Sequence, residues 1–181
     1  MRIIGGEFKG RHFSPGTSFK ARPTTDFAKE NLFNILIHRI DLEEISVLDL
    51  FGGTGSISLE FVSRGCQKVT CVEKNFRHFS FIQSTIKKLG IERAIRLIKG
   101  DVFRFIEKNN GKYDLIFADP PYELSGIQTL PDLIFQYGLL APEGIFILEH
   151  GKNNDFGSHP HFSELRKYGS VHFSLFTHEK D

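Results

Sequence analysis

The sequence predicts an α/β protein with a doubly wound, mostly parallel sheet. From Ser46 onward, short apolar runs alternate with longer helical patterns, and glycines follow several of those patterns. The final apolar runs leave little room for a crossover helix between them. Strands that alternate with helices form parallel βαβ units, so we expect helices on both faces of the sheet.

The individual elements follow from hydrophobic periodicity and from glycine stop signals. The apolar runs predict strands at residues 47–51, 68–73, 95–100, 113–119 and 144–150. The periodic stretches between them predict helices at residues 56–65, 75–90, 102–109 and 127–137. The segment "ELRKYGSVHFSLFTHE" predicts two strands that turn at Gly169, and these last strands should be antiparallel.

The chain before residue 46 has a different character. Residues 1–23 form an arm rich in glycine and basic side chains, and residues 24–40 form a helix that Thr25 or Asp26 could cap. With the α/β core at residues 46–181, the whole chain of 181 residues makes one domain. The N-terminal helix should pack on the sheet through Phe27, Leu32, Phe33, Leu36 and Ile40.

Composition and charge narrow the functional classes. No apolar run approaches the roughly 20 residues that cross a bilayer, and the N-terminus lacks a signal-peptide pattern, so we expect a cytoplasmic protein. Cys66 and Cys71 have no partners at zinc spacing and are expected to be reduced. Residues 1–30 carry a charge of +3 while the whole chain carries +1. This asymmetry fits an arm that contacts phosphate, and equally a solvated basic tail.

The glycine-rich stretch "DLFGGTGS" lies between a predicted strand and a predicted helix, where a nucleotide-binding loop belongs. Glycine lets the backbone turn tightly and lets a ligand approach without a Cβ in the way. A tight turn without a ligand would use the same residues. The dehydrogenase fingerprint fits poorly, since its third glycine falls on Ser58. A better fit is an acid followed by a glycine pair, as in motif I of S-adenosylmethionine-dependent methyltransferases: Asp49, Gly52, Gly53 and Gly55.

Two acidic residues at the ends of the following strands favour adenosine binding. Glu73 ends the second predicted strand, where a carboxylate can accept both ribose hydroxyls. Asp101 follows the third strand and could accept from the adenine amino group, while the amide of Val102 could donate to the ring. Asp101 could equally cap the next helix.

The tetrapeptide "DPPY" follows the fourth predicted strand and consists of Asp119, Pro120, Pro121 and Tyr122. Two prolines cannot continue a strand, so the strand must stop at the aspartate and the next segment must be stiff. The Asp119 carboxylate and the Pro120 carbonyl could each accept one hydrogen of a planar amino group, while the tyrosine ring stacks on its base. This arrangement resembles motif IV of the amino-methyltransferases.

Taken together, the motifs resemble those of the RsmD-like family over essentially the whole chain. The relevant stretches are "MRIIGGEFKGR", "RPTTDFAKENLFNIL", "VLDLFGGTGSISLEFVSRG", "VEKN" and "DLIFADPPY". The resemblance implies a Rossmann-like class I methyltransferase fold, with a seven-stranded sheet and a reversed last strand. It also implies S-adenosylmethionine as cofactor and methyl transfer to guanine N2 in 16S ribosomal RNA, free or within an assembling small ribosomal subunit.

By the same resemblance, the glycine loop, Glu73, Asp101 and Asp119 line the pocket for cofactor and target. The RNA-facing residues would be Arg2, Lys9, Arg11, Arg22, Thr24 and Thr25. The chain departs from the family pattern at two places. After "RPTT", Phe27 and Lys29 stand where arginines are usual, and in the glycine loop Gly52 stands where alanine is usual, a change we expect to be harmless.

Three other functions remain as alternatives. Adenine N6 methylation of DNA would need an added recognition domain, for which 181 residues leave no room, so DNA is not expected as a partner. A nicotinamide-dependent oxidoreductase leaves "DPPY" unexplained. A non-catalytic RNA-binding module could retain the cofactor fold. The "HPH" at residues 159–161 has no further ligand at metal spacing, so no metal site is expected.

Overall fold

The computed structural model describes residues 1–16, 25–121 and 123–178 of the chain. Its centre is a seven-stranded sheet with the strand order β3-β2-β1-β4-β5-β7-β6. The strands are β1 (Ser46–Asp49), β2 (Lys68–Glu73), β3 (Ile95–Lys99), β4 (Tyr113–Ala118), β5 (Leu140–His150), β6 (Phe162–Tyr168) and β7 (Val171–Phe176).

Strands β1 to β5 are parallel, while β7 runs antiparallel to both β5 and β6. The predicted antiparallel end of the sheet, with a turn at Gly169, is therefore confirmed. Gly169 has a φ of 63°, a left-handed conformation that favours glycine. Because β1 lies between β2 and β4, the chain order reverses there. In such sheets, ligands bind at the carboxyl ends of the strands around that reversal.

The predicted start of the fifth strand at residue 144 was wrong, because β5 begins at Leu140. Leu140 pairs with Tyr113, and a register shift follows before Leu115 pairs with Ile145. Pro142 lies inside this irregular stretch. The register shift lets the strand include Pro142, which has no backbone donor. The early half of β5 therefore lacks the regular alternation from which strands are predicted.

Helices cover both faces of the sheet, which confirms the doubly wound class. On one face, α1, α2 and α3 bury a core with Val47, Phe117 and Ile147 of the sheet. On the other face, α4 and α5 bury a second core with Leu48, Ile116 and Phe146. The helices are α1 (Asp26–Leu36), α2 (Ser56–Ser63), α3 (Phe76–Leu89), α4 (Val102–Lys108) and α5 (Leu130–Gln136).

Helix α1 packs on the sheet through the predicted Leu32, Phe33 and Leu36, but it is shorter than predicted. Thr25 caps it by accepting from the amide of Ala28 at 3.2 Å, and it ends at Leu36 rather than at residue 40. Phe27 is 62% exposed, so its assignment to the buried face was wrong. Lys29 takes a buried position instead, because an anionic partner on α2 lies beside its ammonium group.

The first 13 residues fold back on themselves and lie along α2. The Met1 ammonium donates to the Phe13 carbonyl at 3.0 Å, and an isolated antiparallel bridge joins Arg2 to His12. Residues 1–13 are called the N-terminal hairpin below. The tip of this hairpin reaches the last turn of α2. There the amide of Phe8 donates to the Ser63 hydroxyl at 3.0 Å. The predicted basic arm is thus, over these residues, a docked hairpin.

Candidate functional site

Four carboxylates form a row along the carboxyl edge of the sheet. Side chains alternate between the faces of a strand, and each of these acids lies two residues after a member of the α1–α2–α3 core. Strand order sets their sequence across the edge. From β2 through β1 and β4 to β5, the row runs Glu73, Asp49, Asp119 and Glu149.

The glycine loop connects β1 to α2 beside this row. Gly53 and Gly55 have φ values of 54° and 76°, which glycine adopts without steric cost. Among the described residues, a Cβ on Gly53 would meet only the Phe51 carbonyl oxygen within 4 Å, at 3.9 Å, so no described side chain obstructs the backbone there. A Cβ on Gly52 would lie 2.6 Å from the Cys71 sulfur. Glycine at position 52 is therefore a packing requirement in this chain.

Asp49 is buried beneath the loop with one oxygen satisfied and one not. Its Oδ2 accepts a hydrogen bond from the Ser58 hydroxyl at 2.6 Å. Its Oδ1 is buried and has no hydrogen-bond partner among the described residues. Burial raises the pKa of Asp49 to about 6, with the Ser58 hydrogen bond opposing and the Glu73 charge adding to the shift. An orphaned buried carboxylate oxygen is a site for a donor or a cation.

Glu73 fastens the glycine loop to the start of α3. Its carboxylate accepts from the amides of Gly53 at 2.7 Å and Asn75 at 2.6 Å, and the residue is 8% exposed. These bonds fix the side chain at the end of β2, beside the loop. Each carboxylate oxygen can accept a further hydrogen bond, which keeps the predicted ribose contact chemically available.

Asp101 caps α4, one of the two roles that its position allowed. It accepts from the amides of Phe103 at 3.1 Å and Arg104 at 3.3 Å, and its Oδ2 lies 3.0 Å from the Lys74 ammonium. The hydrogen bond from Lys74 holds the pKa of Asp101 below its ordinary value. Val102 is the first residue of α4 and its side chain is buried. The adenine contacts of both residues stay a prediction.

The segment after β4 has the abrupt end that two prolines impose. Strand β4 ends at Ala118, Asp119 is partly exposed, Pro120 is buried and Pro121 is exposed. Tyr122 lies outside the described residues, and so do Arg22 and Thr24. Strands β1 and β4 are adjacent, with Asp49 paired to Phe117, so Asp119 extends from the edge beside the glycine loop.

Glu149 is a residue of this site that the sequence reasoning missed. It lies within the apolar run "GIFILEH", is 5% exposed, and its Oε2 has no hydrogen-bond partner among the described residues. Burial raises the pKa of Glu149, and the neighbouring charge of Asp119 raises it further. The sequence contained one signal that could have identified Glu149. Its carboxylate alternates in phase with the inward-facing residues of the strand, one position before that strand ends.

The basic residues assigned to RNA fall into two groups. Lys9 and Arg11 are exposed on the N-terminal hairpin, the latter with its guanidinium 5.1 Å from the Phe8 ring centre. Arg2 instead pairs with Asp26 at 2.8 Å. Lys29, counted with the basic residues of the arm, is 1% exposed and lies 3.6 Å from Glu60, so it takes no part in a basic surface.

Features away from this edge suggest no second site. A cavity of about 530 Å³ lies between the end of α1 and the end of α2, lined by residues 37–43 and Arg64, at the opposite edge of the sheet. His161 stacks on Phe135 at 3.7 Å, and His159 lies 3.2 Å from Asp132.

Within residues 1–16, 25–121 and 123–178, no group of three or more His, Cys, Asp or Glu could hold a metal ion. No helix of that part is long and apolar enough to cross a membrane.

Relatives of the chain carry consistent names. Ribosomal RNA small subunit methyltransferase D of Escherichia coli K12 is 30% identical over 184 residues, which cover 99% of this chain and 90% of the relative. The protein of the same name from Haemophilus influenzae is 31% identical over 157 residues, or 84% and 80% of the two chains.

Solved structures agree with the fold. A hypothetical protein of Thermus thermophilus superposes with a TM-score of 0.85 at 26% identity, covering 98% of this chain and 99% of its own. A Salinibacter ruber RNA methyltransferase, in complex with S-adenosyl-L-homocysteine, superposes with a TM-score of 0.69 at 15% identity, covering 88% and 97%. The latter likeness shows the fold alone, that of a Rossmann-like class I methyltransferase.

A family model settles the relationship. The model described as "Conserved hypothetical protein 95" matches residues 1–177, which include the hairpin, the glycine loop and the Asp-Pro-Pro segment. Together with relatives at about 30% identity over most of their length, this match covers both the glycine loop and strand β4. The chain therefore belongs to that family, the RsmD family that its motifs resemble.

Proposed function

We propose that this protein transfers a methyl group from S-adenosylmethionine to the exocyclic N2 amine of a guanine in small-subunit ribosomal RNA. One observation carries the proposal: Asp119 and its two prolines end the strand next to the one that leads into the glycine loop. An acceptor of amine hydrogens and a nucleotide-binding loop thereby share one edge. The names of the full-length relatives support ribosomal RNA as the substrate.

The residues of the glycine loop fit this cofactor. The open backbone at Gly53 leaves room for an adenosyl group, and Glu73 offers acceptor capacity for ribose hydroxyls. The orphaned Oδ1 of Asp49 fits a cationic amino group, which would favour the charged form of a carboxylate whose pKa burial has raised. When bound, S-adenosylmethionine supplies an electrophilic methyl group on a sulfonium sulfur.

Asp119 and Pro120 act on the target amine. An exocyclic amine is a poor nucleophile because its lone pair is delocalised into the base. If the Asp119 carboxylate and the Pro120 carbonyl accept its two hydrogens, the nitrogen becomes pyramidal and its lone pair is localised. A hydrogen bond to the charged carboxylate contributes about 1.5–3 kcal/mol, and the stiff proline pair removes reorganisation at the moment of transfer. After transfer, Asp119 is placed to take the surplus proton from nitrogen.

The guanine must leave its stack to reach this edge of the sheet. We expect Tyr122 to provide the stacking surface, worth about 1–3 kcal/mol per base. Lys9 and Arg11 would hold phosphates on the flank, where both are exposed. The chemistry itself requires little more than alignment of nitrogen, methyl carbon and sulfur.

The direct test supplies the protein with methyl-labelled cofactor and small-subunit ribosomal RNA, both as naked RNA and as assembled particles. Nucleoside analysis of the product should find the label in N2-methylguanosine. Label in N6-methyladenosine would replace guanine by adenine as the target. Absence of label from both substrates, with tight cofactor and RNA binding, would favour the non-catalytic module.

Asp119→Ala tests the acceptor role. The variant should bind cofactor nearly as wild type does, and its turnover should fall by about 10²–10³, as for loss of one preorganised polar group. Asp132→Ala on α5 is the matched control, because that carboxylate is exposed and lies away from the sheet edge. Turnover equal to wild type in Asp119→Ala would refute the assigned role.

A further inference from the structure

Two carboxyl groups stand side by side at the end of the parallel sheet. Ala118 of β4 pairs with Leu148 of β5, so the next residues of the two strands, Asp119 and Glu149, are level. Both continue the phase of side chains on the α1–α2–α3 face, since Phe117 and Ile147 belong to that core. The two side chains therefore interact electrostatically, and the negative charge of Asp119 raises the pKa of Glu149.

The two groups differ in their access to water. Glu149 is 5% exposed and its Oε2 makes no hydrogen bond with any described residue, whereas Asp119 is partly exposed. A buried carboxylate without a hydrogen bond is costly, whereas a carboxylic acid needs only one acceptor for its proton. Adjacent carboxyl groups in a poorly solvated site do not both ionise, and the proton stays on the less solvated group.

The surroundings of Glu149 offer no described cation that would hold its charge. Across the sheet it faces Phe173 of β7, an apolar partner. His150 and His172 flank these two residues along the strands, but they lie on the opposite face, where His150 bonds the Ser174 hydroxyl at 2.8 Å. On its own face, the preceding residue of the strand, Ile147, belongs to the apolar core.

We propose that Glu149 is a positioning residue: it remains a neutral carboxylic acid and donates its proton in a hydrogen bond to Asp119, which keeps the Asp119 carboxylate charged and oriented toward the target amine. The catalytic contact stays with Asp119. This inference rests on the proposed function for its kinetic consequence, but the protonation state of Glu149 is a property of the protein without substrate.

The first experiment measures that property. The infrared spectrum of the full chain at neutral pH should contain a protonated-carboxyl stretch that disappears in Glu149→Gln. Burial raises the pKa of Glu149, so on titration this band should persist to a higher pH than exposed carboxyl groups allow. If the band is absent from the difference spectrum of wild type minus Glu149→Gln at neutral pH, the proposal is overturned, whatever the enzyme's activity.

The second experiment separates a neutral hydrogen-bonding group from a charge and from bulk. Glu149→Gln keeps a neutral donor of similar size and should retain turnover within about threefold. Glu149→Leu removes the donor, and its turnover should fall about 10- to 100-fold, as for loss of a hydrogen bond to a charged group, with the cofactor KM little changed. Turnover in the glutamine variant as low as in the leucine variant would contradict a neutral role, and so would a leucine variant as fast as wild type.

The pH profile gives a further readout that a purely structural role would not change. Wild-type turnover should decline in alkaline solution as Glu149 loses its proton and its negative charge faces Asp119, and the glutamine variant should lack that decline. If turnover declines in the same way at alkaline pH in wild type and in Glu149→Gln, the result would count against the proposal. A wild-type protein without any methyl transfer would instead refute the proposed function, leaving the infrared result to decide the state of Glu149. If the leucine variant does not fold, the glutamine variant and the spectrum still decide.

Discussion

Asp49 illustrates how a residue proposed to bind the cofactor can work against stability. Its carboxylate is buried beneath the glycine loop with one oxygen unpartnered among the described residues, so ionisation is disfavoured in the folded protein. The pKa rises from an ordinary value of 3.8 to about 6. In the unfolded chain the group ionises at the lower value. Stability therefore falls as pH rises from about 4 to about 6, and above that range the whole penalty applies.

Asp49→Asn should consequently raise the free energy of unfolding at pH 7. The gap between the two pKa values corresponds to about 3 kcal/mol, and an amide that keeps the Ser58 hydrogen bond should recover part of that amount. Denaturant unfolding at pH 4 and pH 7 measures the effect, and the gain should be confined to the higher pH. The same variant should bind S-adenosylmethionine more weakly. A lower stability at pH 7 would contradict the burial penalty.

Lys29 is the second residue whose role depends on burial. Its ammonium donates to the Ser56 hydroxyl at 3.0 Å and to the Arg2 carbonyl, and it faces Glu60. It therefore joins α1, the N-terminal hairpin and α2 in one buried contact. Burial lowers the pKa of Lys29, and the charge of Glu60 opposes that shift. The lysine at this position thus stabilises the fold and does not contact RNA.

Lys29→Met should destabilise the protein by about 1–3 kcal/mol, because the buried Glu60 carboxylate loses one of its two cations and keeps only Arg64 at 3.0 Å. The double variant Lys29→Met, Glu60→Gln should recover part of that loss, since it also removes the carboxylate charge that Lys29 helped to balance. Thermal or denaturant unfolding of the four proteins in this cycle measures the coupling. A loss in the double variant equal to the sum of the two single losses would show that the ion pair contributes nothing specific.

At the scale of elements, the N-terminal hairpin is fitted to α2 by glycine. Gly6 has a φ of 72°, and a Cβ at this position would lie 1.7 Å from the Ser63 carbonyl oxygen. The amide of Glu7 donates to that same carbonyl at 2.7 Å. The "RIIGG" motif is therefore a docking surface in which only a residue without a side chain allows the backbones to meet.

Gly6→Ala should displace the hairpin, whereas Gly10→Ala should not. Both glycines have positive φ, but no described residue lies within 4 Å of a Cβ at Gly10, so we expect that variant to bear only the conformational cost of about 1–2 kcal/mol. Gly6→Ala should lose more stability and should increase hydrogen exchange at the amides of residues 1–13. Equal effects of the two substitutions would mean that the close approach to Ser63 is not limiting.

At the scale of the whole molecule, the N-terminal hairpin places basic side chains on the flank of the sheet, beside α2. Helix α2 begins at the glycine loop, and its last turn contacts the hairpin tip about 10 Å farther along the helix axis. The exposed charges of Lys9 and Arg11 thus lie on the flank of the sheet. We expect them to contact RNA phosphates around a flipped base.

Neutralising Lys9 and Arg11 together should weaken binding to ribosomal RNA and lower the slope of log affinity against log salt by about one to two. Lys87 and Lys88, exposed in the last turn of α3 at the opposite edge of the sheet, provide a matched control of equal charge. Filter or anisotropy titrations over a range of salt measure both pairs. An unchanged slope in the hairpin variant would remove the hairpin from the RNA interface.

Much of this molecule follows from local sequence. The strands, the helix stops at Gly65 and Gly90, and the end of β4 at the prolines depend on residues close together in the chain. Backbone conformational limits and side-chain alternation act over such short distances, so periodicity and turn residues predicted them. The family motifs added the number of strands and the reversed last strand, while the order of the strands came from the structure.

The tertiary structure decided what depends on distant neighbours. The exposure of Phe27, the burial of Lys29 against Glu60, and the pairing of Glu149 with Asp119 each join segments far apart in sequence. Burial and electrostatic energy depend on which groups meet in space, and hydrophobicity along the chain does not encode those meetings. The sequence by itself predicted an edge that binds a nucleoside and an amine, and only the fold brought Glu149 next to Asp119.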